Sequence, residues 1–297
     1  MSNLSALKTR IKSVKSTQKV TKAMKLVAAS RLRKAKEAVE SSRPYAEKIE
    51  QMISHLAANI DDKSSFGSTF PLLNGNGKNK TYLIVVISSD RGLCGGLNSS
   101  TVKHVKNQFE VLTSEGKTVK ILCAGKKAYE QLKAKYSDYI IDNITGLFKS
   151  TIEYERAKDL SDKIIGLFND GQFDVCQVIY SKFHSAISQE QVLKQIIPAP
   201  ISVGKDENVK NSQYSPLIYE PNEEEVLTDL LPLNIAVQLY NELLENSASE
   251  QGARMAAMDA ASNNAGTMIK DLTLVYNRTR QANITKELID IISGANI

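Results

Sequence analysis

Residues 2–43 contain neither glycine nor proline, and Pro44 is the first residue able to break a helix. Within this stretch apolar or small side chains recur every three or four positions, at Leu4, Leu7, Ile11, Val14, Ala28, Leu32, Ala35 and Val39. The middle of this series is polar, at Gln18, Thr21 and Lys25. The spacing is typical of a helix with one apolar seam, and because the period continues past Pro44, we expect a single helix over residues 1–60.

The C-terminal region has the same character. Between Leu233 and Ile292 the only glycines are Gly252 and Gly266. A second seam with three-four spacing runs through Met258, Ala261, Ala265, Met268, Leu272 and Val275, with weaker members at Thr279, Ala282 and Ile289. A helix of this length would span roughly 90 Å, which exceeds the diameter of a globular domain of this size. We therefore expect much of it to project.

The two predicted terminal helices each carry an apolar stripe that neither can bury alone. Helices at opposite ends of one chain, separated by a compact middle, can bury their stripes on each other as an antiparallel pair. The alternative is that two independent helices pack on the middle domain.

The middle of the chain, after a Ser/Gly/Asn-rich linker at 61–80, alternates between strand and helix patterns. Strands are predicted at Tyr82–Ser88, Val119–Ala124 and Val175–Tyr180, with an edge strand at Ile187–Ile197. Helices are predicted at Ser99–Leu112, Lys126–Lys135 and Ile152–Asn169. This order predicts an α/β domain with a mainly parallel sheet. The predicted fold is thus an antiparallel coiled coil (1–60 and 221–297) with an inserted Rossmann-like α/β domain at 61–220.

Several classes of site are disfavoured by the sequence. The three cysteines, Cys94, Cys123 and Cys176, are far apart and form no CxxC pair, which argues against a disulfide framework or a zinc site and favours buried thiols. The segments Ser88–Asn98 and Cys123–Lys126 lack both the GxGxxG and the Walker A spacing. No apolar run is long enough to span a bilayer, and the N-terminus lacks the apolar segment of a secretory signal. We expect a soluble chain that reaches a membrane only through partners.

Eleven lysines and arginines, from Lys8 to Lys36, precede the first acidic residue, Glu37. A nucleic acid is one possible partner, but the run contains no aromatic residues for stacking on bases and no DNA-binding motif. An ordinary solvated face would mix in acidic residues. The remaining interpretation is a helix that works beside an acidic protein surface.

Three stretches resemble the gamma subunit family of F-type ATP synthases: Ile11–Ser30, Ser89–Asn98, and the C-terminal motifs from Ala253 through Tyr276–Gln281 to Leu288. The resemblance runs from end to end of the chain. The chain lacks the cysteine pair that the chloroplast type of this family carries. The resemblance implies a coiled coil inside the α3β3 hexamer and a middle domain that lies near the membrane and binds no nucleotide. The chain would stand with epsilon on the c-ring, whose proton-driven rotation it couples to ATP synthesis or hydrolysis.

The resemblance also implies which residues meet partners. Contacts with β subunits would involve Lys22, Met24, Lys25, Arg31, Arg33, Arg280, Gln281 and Thr285. Tyr219 and Glu220 would lie near the c-ring and epsilon. No catalytic, cofactor-binding or metal-ligating residue is expected, because the ATP chemistry belongs to α and β. The expected location is the cytoplasmic face of a bacterial inner membrane, or the matrix side of the mitochondrial one. Two alternatives stay open: a nucleotide-binding α/β enzyme with helical extensions, and a basic coiled-coil nucleic-acid-binding protein.

Overall fold

A computed structural model describes residues 2–59, 70–148, 152–199 and 222–295. The helices are α1 (Ser2–Asn59), α2 (Pro71–Asn74), α3 (Leu97–Ser114), α4 (Lys126–Tyr136), α5 (Tyr154–Asn169) and α6 (Glu223–Ala295). The strands are β1 (Thr81–Ile87), β2 (Thr118–Ala124), β3 (Ile140–Ile144), β4 (Val175–Phe183) and β5 (Gln189–Ile197). The chain divides into two compact units, which we call the helical unit (Met1–Ser30 with Arg254–Ile297) and the sheet unit (Arg31–Ala253).

The helical unit is an antiparallel pair formed by the first half of α1 and the second half of α6. Lys25 Nζ lies 2.6 Å from Asp259 Oδ1, and the side-chain amide of Gln18 donates to the backbone carbonyl of Ser262 at 3.3 Å. Residue numbers thus fall along α1 as they rise along α6. The predicted antiparallel coiled coil is confirmed.

The seam of α6 differs from the predicted one in alternate members. Met268 and Val275 are 46% and 50% exposed, whereas Ile269 and Tyr276 beside them are half-buried. The observed seam runs through Met258, Ser262, Ala265, Ile269, Leu272, Tyr276, Thr279 and Asn283. Both series keep the three-four spacing, so periodicity alone could not separate them.

The sheet unit contains, among its described residues, a five-stranded sheet in the order β3-β2-β1-β4-β5. β1 pairs in parallel with β2 and with β4, and β2 pairs in parallel with β3. β5 joins β4 in the antiparallel direction and forms one edge. The predicted strands are confirmed, including the edge strand. The sequence analysis missed β3, whose residues are only partly buried.

Both faces of the sheet are buried, which explains why the strands read as continuous apolar runs. In β1, Leu83, Val85 and Ile87 face a core closed by α5 and α6. The alternate residues Ile84 and Val86 face a second core closed by α3 and α4. A third cluster joins α1 to the start of α6, where Ile53 and Leu56 lie with Leu227 and Leu231.

Helix α6 begins at Glu223, ten residues before Leu233, where the apolar periodicity was recognised, and close to the start of the predicted 221–297 segment. Asn222 accepts a hydrogen bond from the amide of Glu225, and its side-chain amide donates to the Glu225 carboxylate at 2.8 Å. This reciprocal pair caps the helix, and the acidic residues that follow suit its N-terminal dipole. Pro232 therefore lies inside α6. The predicted domain boundaries near 60 and 221 fall outside the described residues and stay predictions.

Candidate partner-binding surface

The predicted contact residues of α1 differ in what they touch. Lys22 is exposed and Met24 is half-buried. Lys25 is 38% exposed and already forms the ion pair with Asp259 in the helical unit. In the sheet unit, Arg33 lies on the surface 3.7 Å from Glu37. Arg31 is half-buried and lines a small cavity with Lys34.

The predicted contact residues of α6 form one exposed group near its end. Arg280, Gln281 and Thr285 are all exposed. The Thr285 hydroxyl donates to the backbone carbonyl of Gln281, one turn earlier, at 3.0 Å. Arg280 makes no ion pair with another described residue. Its guanidinium and the Gln281 amide are therefore available to an external acceptor.

The two sets of contact residues in the helical unit lie at different heights. Asp259, beside Lys25, is 21 residues before Arg280, which along a helix corresponds to about 32 Å. The structure therefore does not bring the predicted residues into one site. It separates them into two zones of the same helix pair.

The helical unit is strongly cationic. Its sequence contains twelve Lys or Arg and four Asp or Glu, a formal charge of +8, whereas the whole chain carries +5. Residues 2–30 of α1 contribute seven of these cations and no acidic residue. Like charges in such density favour a surface that is neutralised by an acidic partner.

The end of α6 presents an apolar surface that the sequence analysis missed. Large apolar side chains there are between 49% and 67% exposed, at Ile284, Leu288, Ile289, Ile291 and Ile292. Because Lys25 lies beside Asp259, the antiparallel register places Ser2 near about residue 282. The last turns of α6 thus extend beyond the first described residue of α1. The signal was present as five large aliphatic residues in nine positions, but the sequence analysis used only Ile289, as a weak member of the seam.

The glycine-rich loop after β1 is held by its own carboxylate. Asp90 accepts hydrogen bonds from the backbone amides of Lys126 at 3.2 Å, Gly146 at 3.0 Å and Phe148 at 3.4 Å. The hydroxyl of Ser88 accepts one from the amide of Ala128 at 3.1 Å. The N-terminus of α4 is thus occupied by protein groups, and a phosphate placed there would meet the negative charge of Asp90.

Glycine is required where this loop meets the next strand. Gly125 has φ +121, and a Cβ there would lie 2.1 Å from the carbonyl oxygen of Ser88. The nearby Cys94 is buried and accepts a hydrogen bond from the Asn98 side-chain amide at 3.1 Å. Together with Cys123 and Cys176 it confirms the predicted buried thiols. Gly125 therefore serves the close approach of backbone to backbone.

A buried carboxylate lies between α6 and the sheet. Glu242 is 2% exposed, and neither carboxylate oxygen receives a hydrogen bond from a described residue. The Lys194 ammonium lies 3.4 Å from Oε1. Burial raises the pKa of Glu242 to about 7, although Lys194 opposes this shift. It is the acidic group of the sheet unit most altered by its surroundings.

Two further predictions concern the residues expected near the c-ring and the membrane. Tyr219 and Glu220, predicted to lie near the c-ring and epsilon, are outside the described residues. Within the described ranges, no helix combines the length and the apolar character needed to cross a membrane.

Sequence comparison finds relatives over the full length of the chain. A profile of the ATP synthase family matches residues 3–297. The ATP synthase gamma chain of Pelagibacter ubique is 49% identical over 295 residues, covering 99% of both chains. That of Rhodospirillum rubrum is 47% identical over 299 residues, again covering 99% of both.

Structural comparison finds the same class of protein. A chain from the central stalk and c-ring of the Tetrahymena thermophila mitochondrial ATP synthase superposes with a TM-score of 0.60 at 27% identity, covering 82% of this chain and 99% of that one. A chain from the Euglena gracilis mitochondrial enzyme superposes with a TM-score of 0.67 at 19% identity, covering 99% and 94%. The latter likeness concerns the fold alone.

Proposed function

We propose that this chain, which belongs to the ATP synthase gamma-chain family, works as the rotating shaft between an ion-driven membrane ring and the catalytic subunits. As the gamma subunit of an F-type ATP synthase it is part of an enzyme complex. In this proposal its own residues carry out no ATP chemistry, which takes place on the α and β subunits. The observation that carries the proposal is the helical unit, a cationic antiparallel helix pair with an uncovered apolar end.

The positive charge of residues 2–30 supports an acidic partner for this part of α1. Seven cations and no acid on residues 2–30 leave the helix repelling itself unless a partner supplies negative charge. We assign this partner to the β subunits, and Lys22 is its most available contact because Lys25 is engaged by Asp259. Contacts of this kind at a moving surface are electrostatic and weakly directional, so they permit sliding.

The exposed aliphatic residues at the end of α6 support a second contact with the hexamer. Contiguous apolar patches on a protein surface mark interaction sites. Apolar side chains of the surrounding subunits that cover Leu288 and Ile292 would stabilise the complex without fixed hydrogen bonds. Arg280 and Gln281, just before this end, supply the directional contacts.

Coupling follows from the asymmetry of the helical unit. One helix presents cations and the other presents an apolar end, so three identical surrounding subunits meet different surfaces at any moment. A bound body shifts a conformational equilibrium only as far as its affinities for the two states differ. Turning the pair therefore changes which subunit is stabilised in which state.

The remaining partners and the location are inferred from the family. We propose that the sheet unit lies on the membrane side, with Tyr219 and Glu220 near epsilon and the c-ring. The chain would be peripheral to the cytoplasmic face of a bacterial inner membrane. Its membrane association would come only through the complex.

Co-expression of the full chain with α and β subunits tests the proposal. We expect the three chains to co-purify at near-physiological salt and to show ATP-driven rotation of a probe attached to the sheet unit. A matched variant with Lys8, Lys12 and Lys15 changed to Gln should co-purify in lower yield at the same salt. Failure of the unmodified chain to co-purify, together with tight and steeply salt-dependent binding to DNA, would instead support the nucleic-acid alternative.

A further inference from the structure

Helix α6 contains two possible seams in its half of the helical unit. The observed seam uses Ser262, Ile269 and Tyr276, and the competing one uses Ala261, Met268 and Val275. The two share Met258, Ala265, Leu272 and Thr279. At 100° per residue, exchanging one for the other requires a rotation of α6 about its own axis of about 50°. Hydrophobicity favours the competing seam, which has no hydroxyl or amide at its alternate positions.

A polar contact accompanies the seam that is observed. The side-chain amide nitrogen of Gln18 lies 3.3 Å from the carbonyl oxygen of Ser262. A helical carbonyl is normally covered by the side chain four residues later, and here that residue is Gly266. A Cβ on Gly266 would lie 3.0 Å from the Gln18 amide nitrogen. The glycine thus opens the backbone of α6 to a donor from α1.

This opening occurs at one place in the helical unit. Between Arg254 and Ser293, Gly266 is the only glycine in the sequence. Glycine is among the least favourable residues in a helix interior, so its presence there needs a compensating contact. The Lys25–Asp259 pair lies on the same face of α6, because Asp259 precedes Gly266 by two turns.

We propose that Gln18 is a positioning residue that selects which seam of α6 faces α1 and thereby fixes the direction of Arg280, Gln281 and Thr285. If α6 rotated about its axis so that the more apolar seam faced α1, Gly266 would no longer face α1. The side chains of Arg280, Gln281 and Thr285 would then point in a different direction. The selection itself is a property of this chain alone. Its consequence for coupling rests on the proposed function.

Disulfide formation in the full chain measures the seam directly. The register fixed by Lys25 and Asp259 places Val14 across from about residue 270, next to Ile269, so a chain with cysteines at Val14 and Ile269 reports the observed seam. Cysteines at Val14 and Met268 report the competing one. In a background with Gln18→Leu and Gly266→Ala, we expect the ratio of the first disulfide to the second to fall about fivefold, the equilibrium effect of one net hydrogen bond. Gln51→Leu, at an exposed glutamine of the same helix, should leave the ratio unchanged.

Thermal unfolding separates positioning from a merely structural role. The paired substitution replaces glycine by alanine in a helix, so we expect the helical signal to be retained while the disulfide ratio changes. An unchanged ratio in a folded double variant would overturn the proposal. Gln18→Glu gives a second check. A carboxylate cannot donate a hydrogen bond to the Ser262 carbonyl, so this substitution should also lower the disulfide ratio.

The coupling consequence is measured in the assembled enzyme. We expect the double variant to pump fewer protons per ATP hydrolysed than the unmodified chain, because Arg280, Gln281 and Thr285 would turn away from their partner. A shifted disulfide ratio with unchanged coupling would overturn the link between the seam and Arg280. Absence of any assembly by the unmodified chain would count against the proposed function but would leave the disulfide result valid.

Discussion

Lys25 and Asp259 are 234 positions apart in the chain, and their side chains meet at 2.6 Å between α1 and α6. Lys25 is five residues before Ser30 and Asp259 is five residues after Arg254, so the pair lies near one end of the helical unit. The predicted role of Lys25 as a contact of β has therefore to compete with a partner that the chain itself supplies.

Removal of this ion pair should have a small effect on stability. Both side chains are more than a third exposed, so a double-mutant cycle of Lys25→Ala and Asp259→Ala should give a coupling of about 0.2–1 kcal/mol. Added salt should reduce it, because exposed charges are screened. Urea unfolding at two salt concentrations measures this coupling. A coupling that is large and independent of salt would contradict the solvent-exposed assignment.

Changing Arg280 and Gln281 together to Ala should impair assembly or coupled ATP hydrolysis without destabilising the isolated chain. Both residues are exposed, and substitutions at such positions usually change stability by less than about 0.5 kcal/mol. Complex yield and proton pumping are the measurements. Arg278→Ala, which removes a neighbouring exposed cation, is the matched control. Normal yield, hydrolysis and pumping in the double variant would rule out the proposed contact.

Introducing Asp at Leu288 and Ile292 should weaken the complex and leave the folded chain intact. These side chains are about half exposed or more, so their partner-dependent burial is worth about 1 kcal/mol each. Yield of the complex at increasing urea, compared with Glu287→Asp as a control at a nearby exposed position, checks this expectation. Equal resistance to urea would show that no apolar surface covers the end of α6.

Replacing Asp90 by Ala should destabilise the sheet unit by about 2 kcal/mol, since the amides of Gly146 and Phe148 lose their acceptor in a partly buried site. Chemical denaturation measures the change. Asp90→Asn, which retains one carbonyl oxygen, should recover part of it. An Asp90→Ala chain as stable as the original would mean that water replaces the carboxylate.

Glu242 should make stability fall as pH rises. The folded pKa of about 7 lies above the ordinary 4.5, so between these values the folded state holds a proton that the unfolded state has released. Stability is thus highest below pH 4.5 with respect to this group and decreases until about pH 7, by on the order of 3 kcal/mol. Glu242→Gln should remove this slope. Urea unfolding of both chains at several pH values between 4.5 and 7 gives the free energy of unfolding of each. The same pH dependence in both chains would refute the expectation.

Sequence reasoning reached the fold because both main signals are strong. The terminal stretches with few or no glycines and the continuous apolar strand β1 each allow one kind of element. It missed β3, because a half-buried edge strand with Asp142 and Asn143 lacks an apolar run. Its predicted segment from 221 lies close to the observed start of α6 at Glu223, but the apolar periodicity was recognised only from Leu233, because the first turn of α6 is dominated by acidic residues.

The candidate site was less predictable, because the spacing of residues along the sequence does not show which side chains of α1 and α6 contact each other. Nothing in the run of cations distinguishes Lys25, which binds Asp259, from Lys22, which does not. The choice of Ile269 over Met268 depends on a carbonyl exposed by Gly266, a feature of backbone geometry. Exposure of Leu288 follows from where the two helices end relative to each other.

The carboxylate of Asp90 connects three neighbouring strands. Asp90 itself follows β1, and it binds amides at Lys126 after β2 and at Gly146 after β3. In open α/β sheets a ligand crevice forms where the strand order reverses, which in this sheet is between β1 and β4. The Asp90 contacts lie on the other side of β1 and hold together the ends of three parallel strands. A force applied to any one of these strand ends is therefore shared with the other two.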